Sequence, residues 1–469
     1  MAEKRMADFI REYAAAINRG DAAAFLGAGM SVPSGFVDWK GLLSGLAEEI
    51  GLSVEKEQDL LAVAQYYVNE KNNRVKVSQT IKNEFSLAKQ ENKSIAAFSR
   101  LDIKTVWTTN YDHVIEEAYE SAGKRVDVKK SNTDLVLYDE DASVCIYKMH
   151  GDVSCPEDTV LLKDEYENYF NLRKGFVTTL KGHLLSKTFL FVGYRFADPD
   201  INSILSWIRQ LSEGSHRCHY WITKRVKEED EDYKYLLGKQ ELIINDLKRY
   251  GIETVLVDDY SEIPMIFDNL YRECNRKNIF ISGSCACPPD SWTEHDVDEF
   301  VSSVAEKLVD SKMSISSGYG LGVGSSVISG ALRAINRNKY AHFDKYLKLY
   351  PFPQNLCDPQ KEWTAYRHHI LEKCGVVIFM FGNKKDKDEN VVIANGVISE
   401  YEIAQANNLV LIPLAFTGYA AEEVYKLMLS EKQKYPYLEE FWNELTQMHN
   451  VEETIKMIKK ILKNAGEKI

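Results

Sequence analysis

GlyAlaGlyMetSerValProSerGlyPheValAsp (27–38) directly follows the apolar run AlaAlaPheLeu (23–26), and that junction decides how the first half of the chain folds. A short, wholly apolar run is the pattern of a strand buried on both faces. Small residues straight after it let backbone N–H groups approach a phosphate at a helix N-terminus. The pattern recurs: LysThrValTrpThrThr (104–109) ends in a polar loop, and ThrPheLeuPheVal (188–192) precedes a glycine. TyrTrpIleThr (220–223) and ThrValLeuVal (254–257) add two further runs. Helical segments between such strands predict a doubly wound α/β sheet. Residues 52–100 break the rhythm with a polar, largely helical stretch, read as an inserted helical layer.

The pattern then restarts with IlePheIleSerGlySer (279–284), SerIleSerSerGlyTyrGly (314–320), ValValIlePheMetPheGly (376–382) and LeuValLeuIlePro (409–413). A helix-like segment at 261–274 and the polar AsnArgLysAsn (275–278) separate the two sets. The expectation is therefore two Rossmann-like α/β domains with mostly parallel sheets, 1–275 and 276–469. A length of 469 residues agrees, because single cores rarely grow past about 250–300 residues. A net charge of −12 lacks the basic footprint of a nucleic-acid binder. No apolar run approaches the roughly 20 residues of a membrane span, and the charged first twenty residues carry no secretory signal. A cytoplasmic chain with neither membrane nor nucleic-acid partner is expected. The eight cysteines (Cys145, Cys155, Cys218, Cys274, Cys285, Cys287, Cys357, Cys374) then read as reduced thiols. GluGluAspGluAsp (228–232) reads as a solvated loop.

Taken singly, a glycine turn, an Asn-x-Asp pair and a histidine before glycine have ordinary structural explanations as turns, caps and buried side chains. Their order is more specific. The 27–38 string resembles the nucleotide-binding opening of sirtuins, with Gly27, Ala28, Gly29, Ser31, Ser34, Gly35 and Asp38 in register. ThrThrAsnTyrAsp (108–112) and LysMetHisGlyAsp (148–152) resemble two later sirtuin segments in the same order. GlyTyrArgPheAlaAspPro (193–199), beginning at Gly193, is a looser match to the adenosine end. The resemblance implies NAD+ as substrate, held by Gly27, Ala28, Gly29, Ser31, Asp38 and Gly193. It implies that Asn110 holds the nicotinamide ribose and the attacking water, that Asp112 contacts the carboxamide, and that His150 is the general base. A neutral imidazole can take a proton near pH 7, and an amide can orient water without competing for that proton. Two features depart from protein-deacylating sirtuins. Their zinc ribbon of two CxxC pairs has no counterpart, since Cys145 and Cys155 are ten apart and Cys285/Cys287 lie in the other domain. The arginine that follows their Asp-Phe is also replaced, Asp38 being followed by Trp39 and Lys40. No metal is expected, and scission of the nicotinamide glycosidic bond by water is expected over deacylation.

In the second half, SerSerGlyTyrGlyLeuGlyValGlySer (316–325) follows a strand and opens a helix. Four glycines at alternating positions can form an anion nest, and SerGlySer (282–284) offers a second turn. This half resembles the SLOG family of nucleotide-binding Rossmann-like domains. The Pro-Gly-Gly-x-Gly-Thr-x-x-Glu string of the related phosphoribohydrolases is missing, since Ser325, Ser326 and Val327 follow the glycines, which favours sensing over hydrolysis. A sirtuin-like domain followed by a SLOG domain is similar to the ThsA-like NADase effectors of bacterial Thoeris antiphage systems. That resemblance implies a cyclic ADP-ribose isomer bound by Ser282, Gly283, Ser284, Gly320, Gly322, Arg367, Lys384 and Glu400. It also implies that this ligand activates NAD+ cleavage to nicotinamide and ADP-ribose, in a homo-oligomer, tetramer or filament. Arg367 can grip a pyrophosphate bidentately, Lys384 adds a point charge and Glu400 accepts ribose hydroxyls. Two rival readings stay open: an NAD-dependent protein deacylase, and a non-catalytic NAD or ADP-ribose sensor.

Overall fold

Ala22–Leu26 form a strand, β1, buried from end to end. In the computed structural model, which describes residues 4–57, 59–86, 90–194, 199–212, 217–340, 342–353 and 358–467, β1 is central to a seven-stranded parallel sheet. The other members are β2 (Thr105–Thr108), β3 (Val126–Lys129), β4 (Val144–Lys148), β5 (Thr188–Val192), β6 (His219–Lys224) and β7 (Ile252–Val257). Their order is β3-β4-β2-β1-β5-β6-β7. The chain moves outward on one side of β1 and then crosses to the other, so a topological switch lies between β1 and β5. Ligands of open α/β sheets bind outside the carboxyl ends of the strands at such a point.

The register sharpens this. Leu26 pairs with Thr108 on one side and with Val192 on the other. Thr108 in turn pairs with Lys148. Four strands therefore end flush, and the loops that begin at Gly27, Thr109, Met149 and Gly193 all open on one edge. The predicted helical insertion is present as Leu60–Lys71, Val75–Phe85 and Lys93–Ser99. Strands β3 and β4 escaped the sequence reading. The buried and half-buried residues of β4 alternate, and β3 forms the sheet edge with three half-buried residues, so neither shows an unbroken apolar run.

The chain divides into two compact units, Met1–Cys274 and Asn275–Ile469. The second contains β8 (Asn278–Ser282), β9 (Ser314–Ser317), β10 (Leu347–Leu349), β11 (Val376–Phe379), β12 (Asn383–Lys385), β13 (Val391–Ile393) and β14 (Val410–Pro413). Five of these make a parallel sheet, β10-β9-β8-β11-β14, while β12 and β13 form a separate antiparallel hairpin. Its switch point lies between β8 and β11, where Ser282 pairs with Phe379. Helix Gly324–Arg337 starts just beyond the glycine-rich turn after β9 and packs on helix Glu294–Asp310. No described helix is long and apolar enough to cross a membrane.

The contact between those two helices depends on a missing side chain, because a Cβ on Gly330 would fall 1.9 Å from the carbonyl oxygen of Ser302. Gly182, within helix Lys174–Ser186, has open space where its Cβ would point. Gly330→Ala is expected to destabilise the protein by roughly 1–3 kcal/mol through overpacking. Gly182→Ala should stabilise it by about 0.5–1 kcal/mol, since alanine loses less backbone freedom on entering a helix. Urea unfolding of the two variants checks the opposite signs.

Candidate functional site

The turn after β1 is held by its neighbours. The Gly27 amide donates to the Val192 carbonyl at 2.9 Å, and the Gly29 amide to the Gly193 carbonyl at 3.0 Å. A Cβ on Gly27 would lie 2.5 Å from the Gly193 oxygen and 2.7 Å from the Tyr194 ring. The turns at the switch point therefore touch backbone to backbone, which only glycine permits. Gly193 itself has φ +77°, in the left-handed region. Ala28 is half-buried and Gly29 exposed, so this turn borders solvent, while Ser31 is buried beneath it.

Asn110 fastens this turn to the loop after β2. Its Nδ2 donates to the Gly27 carbonyl at 3.2 Å and to Ser31 Oγ at 2.8 Å. Its backbone amide donates to Thr108 Oγ1 at 3.0 Å, and that hydroxyl donates to the Leu26 carbonyl at 2.7 Å. Among the described residues, nothing donates to the buried Asn110 Oδ1. A buried acceptor without a partner costs about 1–3 kcal/mol, and such groups concentrate where a ligand completes the site. His150 follows β4 and is buried. Its Nδ1 lies 3.3 Å from Tyr166 Oη, and its ring meets those of Tyr166 and Tyr169 edge-on at 5.2 and 6.0 Å.

The other predicted residues of the first unit have local roles. Asp38 is exposed and caps helix Trp39–Glu48, accepting from the Gly41 amide at 3.0 Å. The buried Asp112 carboxylate accepts from the Val114 amide at 3.1 Å, at the start of helix Val114–Ser121. Thus Gly27, Ser31, Asn110 and Gly193 are brought into direct contact, and His150 stands on a neighbouring loop of the same edge. Asp38 and Asp112 are engaged with helix starts. Of the loose 193–199 match, Arg195–Asp198 lie outside the described residues.

Sequence reasoning missed the group that joins the Asn110 and His150 loops. Lys148, the last residue of β4, is 0% exposed. Its ammonium donates to Glu116 Oε1 at 2.9 Å and to the carbonyls of Tyr111 and Asp112 at 3.1 and 2.5 Å, and pairs with Asp152 Oδ2 at 2.7 Å. His113 Nε2 contacts the same Asp152 carboxylate at 3.0 Å. Burial alone would raise the pKa of Asp152, but the His113 hydrogen bond and the Lys148 charge hold it well below the usual carboxylate range. Burial raises Glu116 in spite of Lys148. The hydrogen bond to Asp152 raises His113. His113, Glu116 and Asp152 offer ligand atoms within 4.8 Å of one another, as a metal site would. The Lys148 ammonium already holds both carboxylates. The only clue in sequence was a lysine closing a strand four residues before an aspartate.

In the second unit, Ser282 Oγ donates to Glu400 Oε2 at 2.5 Å. Arg367 Nε lies 3.6 Å from Glu400 Oε1, its N–H finding no hydrogen-bond acceptor among the described residues, and its guanidinium sits 4.8 Å from the centre of the Phe352 ring. Burial raises the pKa of Glu400 against the opposing Ser282 hydrogen bond and Arg367 charge. Gly283, Gly320 and Gly322 let two turns stack. Their Cβ atoms would fall 2.2, 2.1 and 2.1 Å from the carbonyl oxygens of Met380, Gly283 and Cys285. Ser284 Oγ donates to the Asn383 carbonyl at 2.7 Å. Lys384 is exposed on the β12–β13 hairpin and lines an open groove of about 850 Å³ with Lys385, Lys387 and Asn395. Next in the chain is Gly396, whose Cβ would lie 2.9 Å from the Arg367 guanidinium. Ser282, Arg367 and Glu400 form one polar chain, and Lys384 lies on the adjoining groove.

Comparison with known proteins finds two family matches. Residues 104–253 match the family described as SIR2-like domain, and residues 262–465 the Sir2- and TIR-associating SLOG family (STALD). The NAD(+) hydrolase ThsA of Acinetobacter baumannii is 38% identical over 456 residues, covering 94% of each chain. That of Bacillus cereus is 39% identical over 432 residues, covering 91% of this chain and 90% of the relative. That of Enterococcus faecium is 37% identical over 473 residues, covering 96% and 98%.

The raised pKa of His113 fixes the sign of a pH effect. Its bond to Asp152 contributes stability that is fully present below the unfolded value of about 6.5 and fades as pH rises through the higher folded value. His113→Gln should therefore lower the melting temperature more at pH 6 than at pH 9. Equal losses at both pH values would show that the charged imidazole contributes nothing.

Proposed function

The chain belongs to the family of ThsA NAD(+) hydrolases, and from that premise we propose that residues 1–275 cleave NAD+ to nicotinamide and ADP-ribose when residues 276–469 bind a cyclic ADP-ribose isomer. The observation that carries the catalytic half is the buried, unpartnered Oδ1 of Asn110, set among flush strand ends with His150 on a neighbouring loop of that edge. An amide fixed through its Nδ2 by Gly27 and Ser31 presents that oxygen in one orientation, as needed to hold a ribose hydroxyl or a water.

In this mechanism the pyrophosphate lies against the Gly27–Ser31 turn, with Gly193 behind it, the nicotinamide ribose lies near Asn110 and His150, and Asp112 faces the carboxamide. Positive charge develops on the ribose as nicotinamide departs. Water oriented by Asn110 gives a proton to His150 Nε2 as its oxygen bonds to C1′. That role requires the Nδ1 proton to stay on the ring, and Tyr166 Oη at 3.3 Å can accept it. No step uses a metal.

In the sensing half, Glu400 accepts ribose hydroxyls while Arg367 and Lys384 hold phosphates, at the glycine turns of Ser282–Ser284 and Gly320–Gly322. Ligand shifts a two-state equilibrium by its differential affinity for the active form. The setting is a cytoplasmic homo-oligomer, tetramer or filament, that depletes NAD+ in antiphage defence. Against a deacylase stands the absence from the sequence of the two CxxC pairs of a zinc ribbon.

Purified protein incubated with NAD+ and a panel of cyclic ADP-ribose isomers should release nicotinamide with at least one isomer. His150→Ala should cut that rate about 10²–10⁴-fold, and Arg367→Ala should abolish the response to the isomer. No nicotinamide under any isomer would contradict the hydrolase reading. An unchanged response in Arg367→Ala would contradict the sensor assignment.

A further inference from the structure

We propose that Lys148 is a positioning residue of this site: its buried ammonium ties the loop bearing Asn110 to the loop bearing His150 and so fixes their mutual geometry. The proposal rests on the hydrolase reading above and adds to it a residue that touches neither substrate nor water.

Two of the four acceptors around the ammonium are the carbonyls of Tyr111 and Asp112, which immediately follow Asn110, at 3.1 and 2.5 Å. A third is Asp152, two residues past His150, at 2.7 Å. The fourth is Glu116, at 2.9 Å, on the helix that the Asn110 loop leads into. One cation therefore grips both catalytic loops and the helix behind them. Beside it the Val153 amide donates to the Tyr111 carbonyl at 3.0 Å, a second and weaker stitch between the same segments.

The charge arrangement makes the ammonium hard to replace. Glu116 and Asp152 are both buried, and Lys148 is the cation hydrogen-bonded to each of them. His113 reaches only Asp152 and is 40% exposed. Removing one partner from a buried ion cluster leaves uncompensated charge. The four acceptors would then lose the donor they share, although Tyr111 keeps the Val153 amide and Asp152 keeps His113 and the Ser154 amide. The loops must part or admit water, and Asn110 and His150 move with them. Misplacing reacting groups by about 1 Å costs on the order of 10²-fold in rate.

A lysine that only stabilises the fold would lower the melting temperature and leave turnover unchanged below it. The test compares full-length wild type with Lys148→Met, which keeps the stem and removes the charge. Nicotinamide release from NAD+ is followed with the same isomer panel, and folding by circular dichroism. The expected result is a folded variant with kcat reduced about 10²-fold and KM for NAD+ within about threefold. The double variant Lys148→Met/Glu116→Gln relieves one buried charge but does not restore the bonds from residue 148 to the Tyr111 and Asp112 carbonyls, so it should fold more stably and stay equally slow. Glu116→Gln alone, which keeps the ammonium and three of its bonds, should retain wild-type kcat. Turnover near wild type in a folded Lys148 variant overturns the positioning role while the hydrolase reading stands. So does failure of both Lys148 variants to fold, because the lysine is then structural. Wild type that releases no nicotinamide defeats the hydrolase reading itself, and this proposal with it.

Discussion

An ammonium group with no contact to solvent is the constraint around which the first unit is organised. Taking a charge out of water costs several kcal/mol unless anions and carbonyls replace the water. Lys148 meets that demand with Glu116, Asp152 and two peptide carbonyls. Those acceptors come from two places in the chain: residues 111–116, more than thirty residues upstream, and Asp152, four residues on. Meeting the demand requires β2 and β4 to end together, which the pairing of Thr108 with Lys148 achieves. A slip of one residue would turn every side chain of β4 to the opposite face and carry the ammonium away from its partners. Register, loop geometry and the placement of Asn110 and His150 are thus one problem with one solution.

On the proposed function, a chain of net charge −12 must also accommodate anionic dinucleotides. In the first unit the turn after β1 carries no arginine and brings small residues to a topological switch point, its Gly27 and Gly29 amides bonded to the Val192 and Gly193 carbonyls. Close approach is bought by glycine, since Gly27 and Gly193 meet where a Cβ would collide. The second unit repeats the plan with Gly283, Gly320 and Gly322, and then adds a guanidinium braced by Glu400 and the Phe352 ring. The two units thus share closely approaching glycine turns, and the second sets a paired guanidinium and carboxylate beside them.

How much of this was legible in the sequence depends on how local each feature is. Strands β1 and β5 are uniformly buried and read directly from their apolar runs. The edge strands β3 and β10 and the polar β12 were not legible, because half-buried or solvated residues carry no continuous apolar signal. Asn110 and His150 were singled out by the order of short motifs. The Lys148 cluster was invisible although Lys148 and Asp152 sit inside a quoted motif, because their partners at 111–116 are about thirty-five residues upstream in the chain. Periodicity could not foresee that the glycines of 316–325 serve the stacking of one turn on another as much as any approach to a phosphate. For Asp38, a helix cap at Gly41 is the contact seen, and a cap and a ligand contact look alike in sequence.

The most direct test is a crystal structure of full-length His150→Ala soaked with NAD+. The account predicts the pyrophosphate on the Gly27–Ser31 turn and the nicotinamide ribose within hydrogen-bonding reach of Asn110 Oδ1, on the side where His150 stood. NAD+ bound with its nicotinamide ribose remote from Asn110, or bound only at the glycine turns of the second unit, would contradict it.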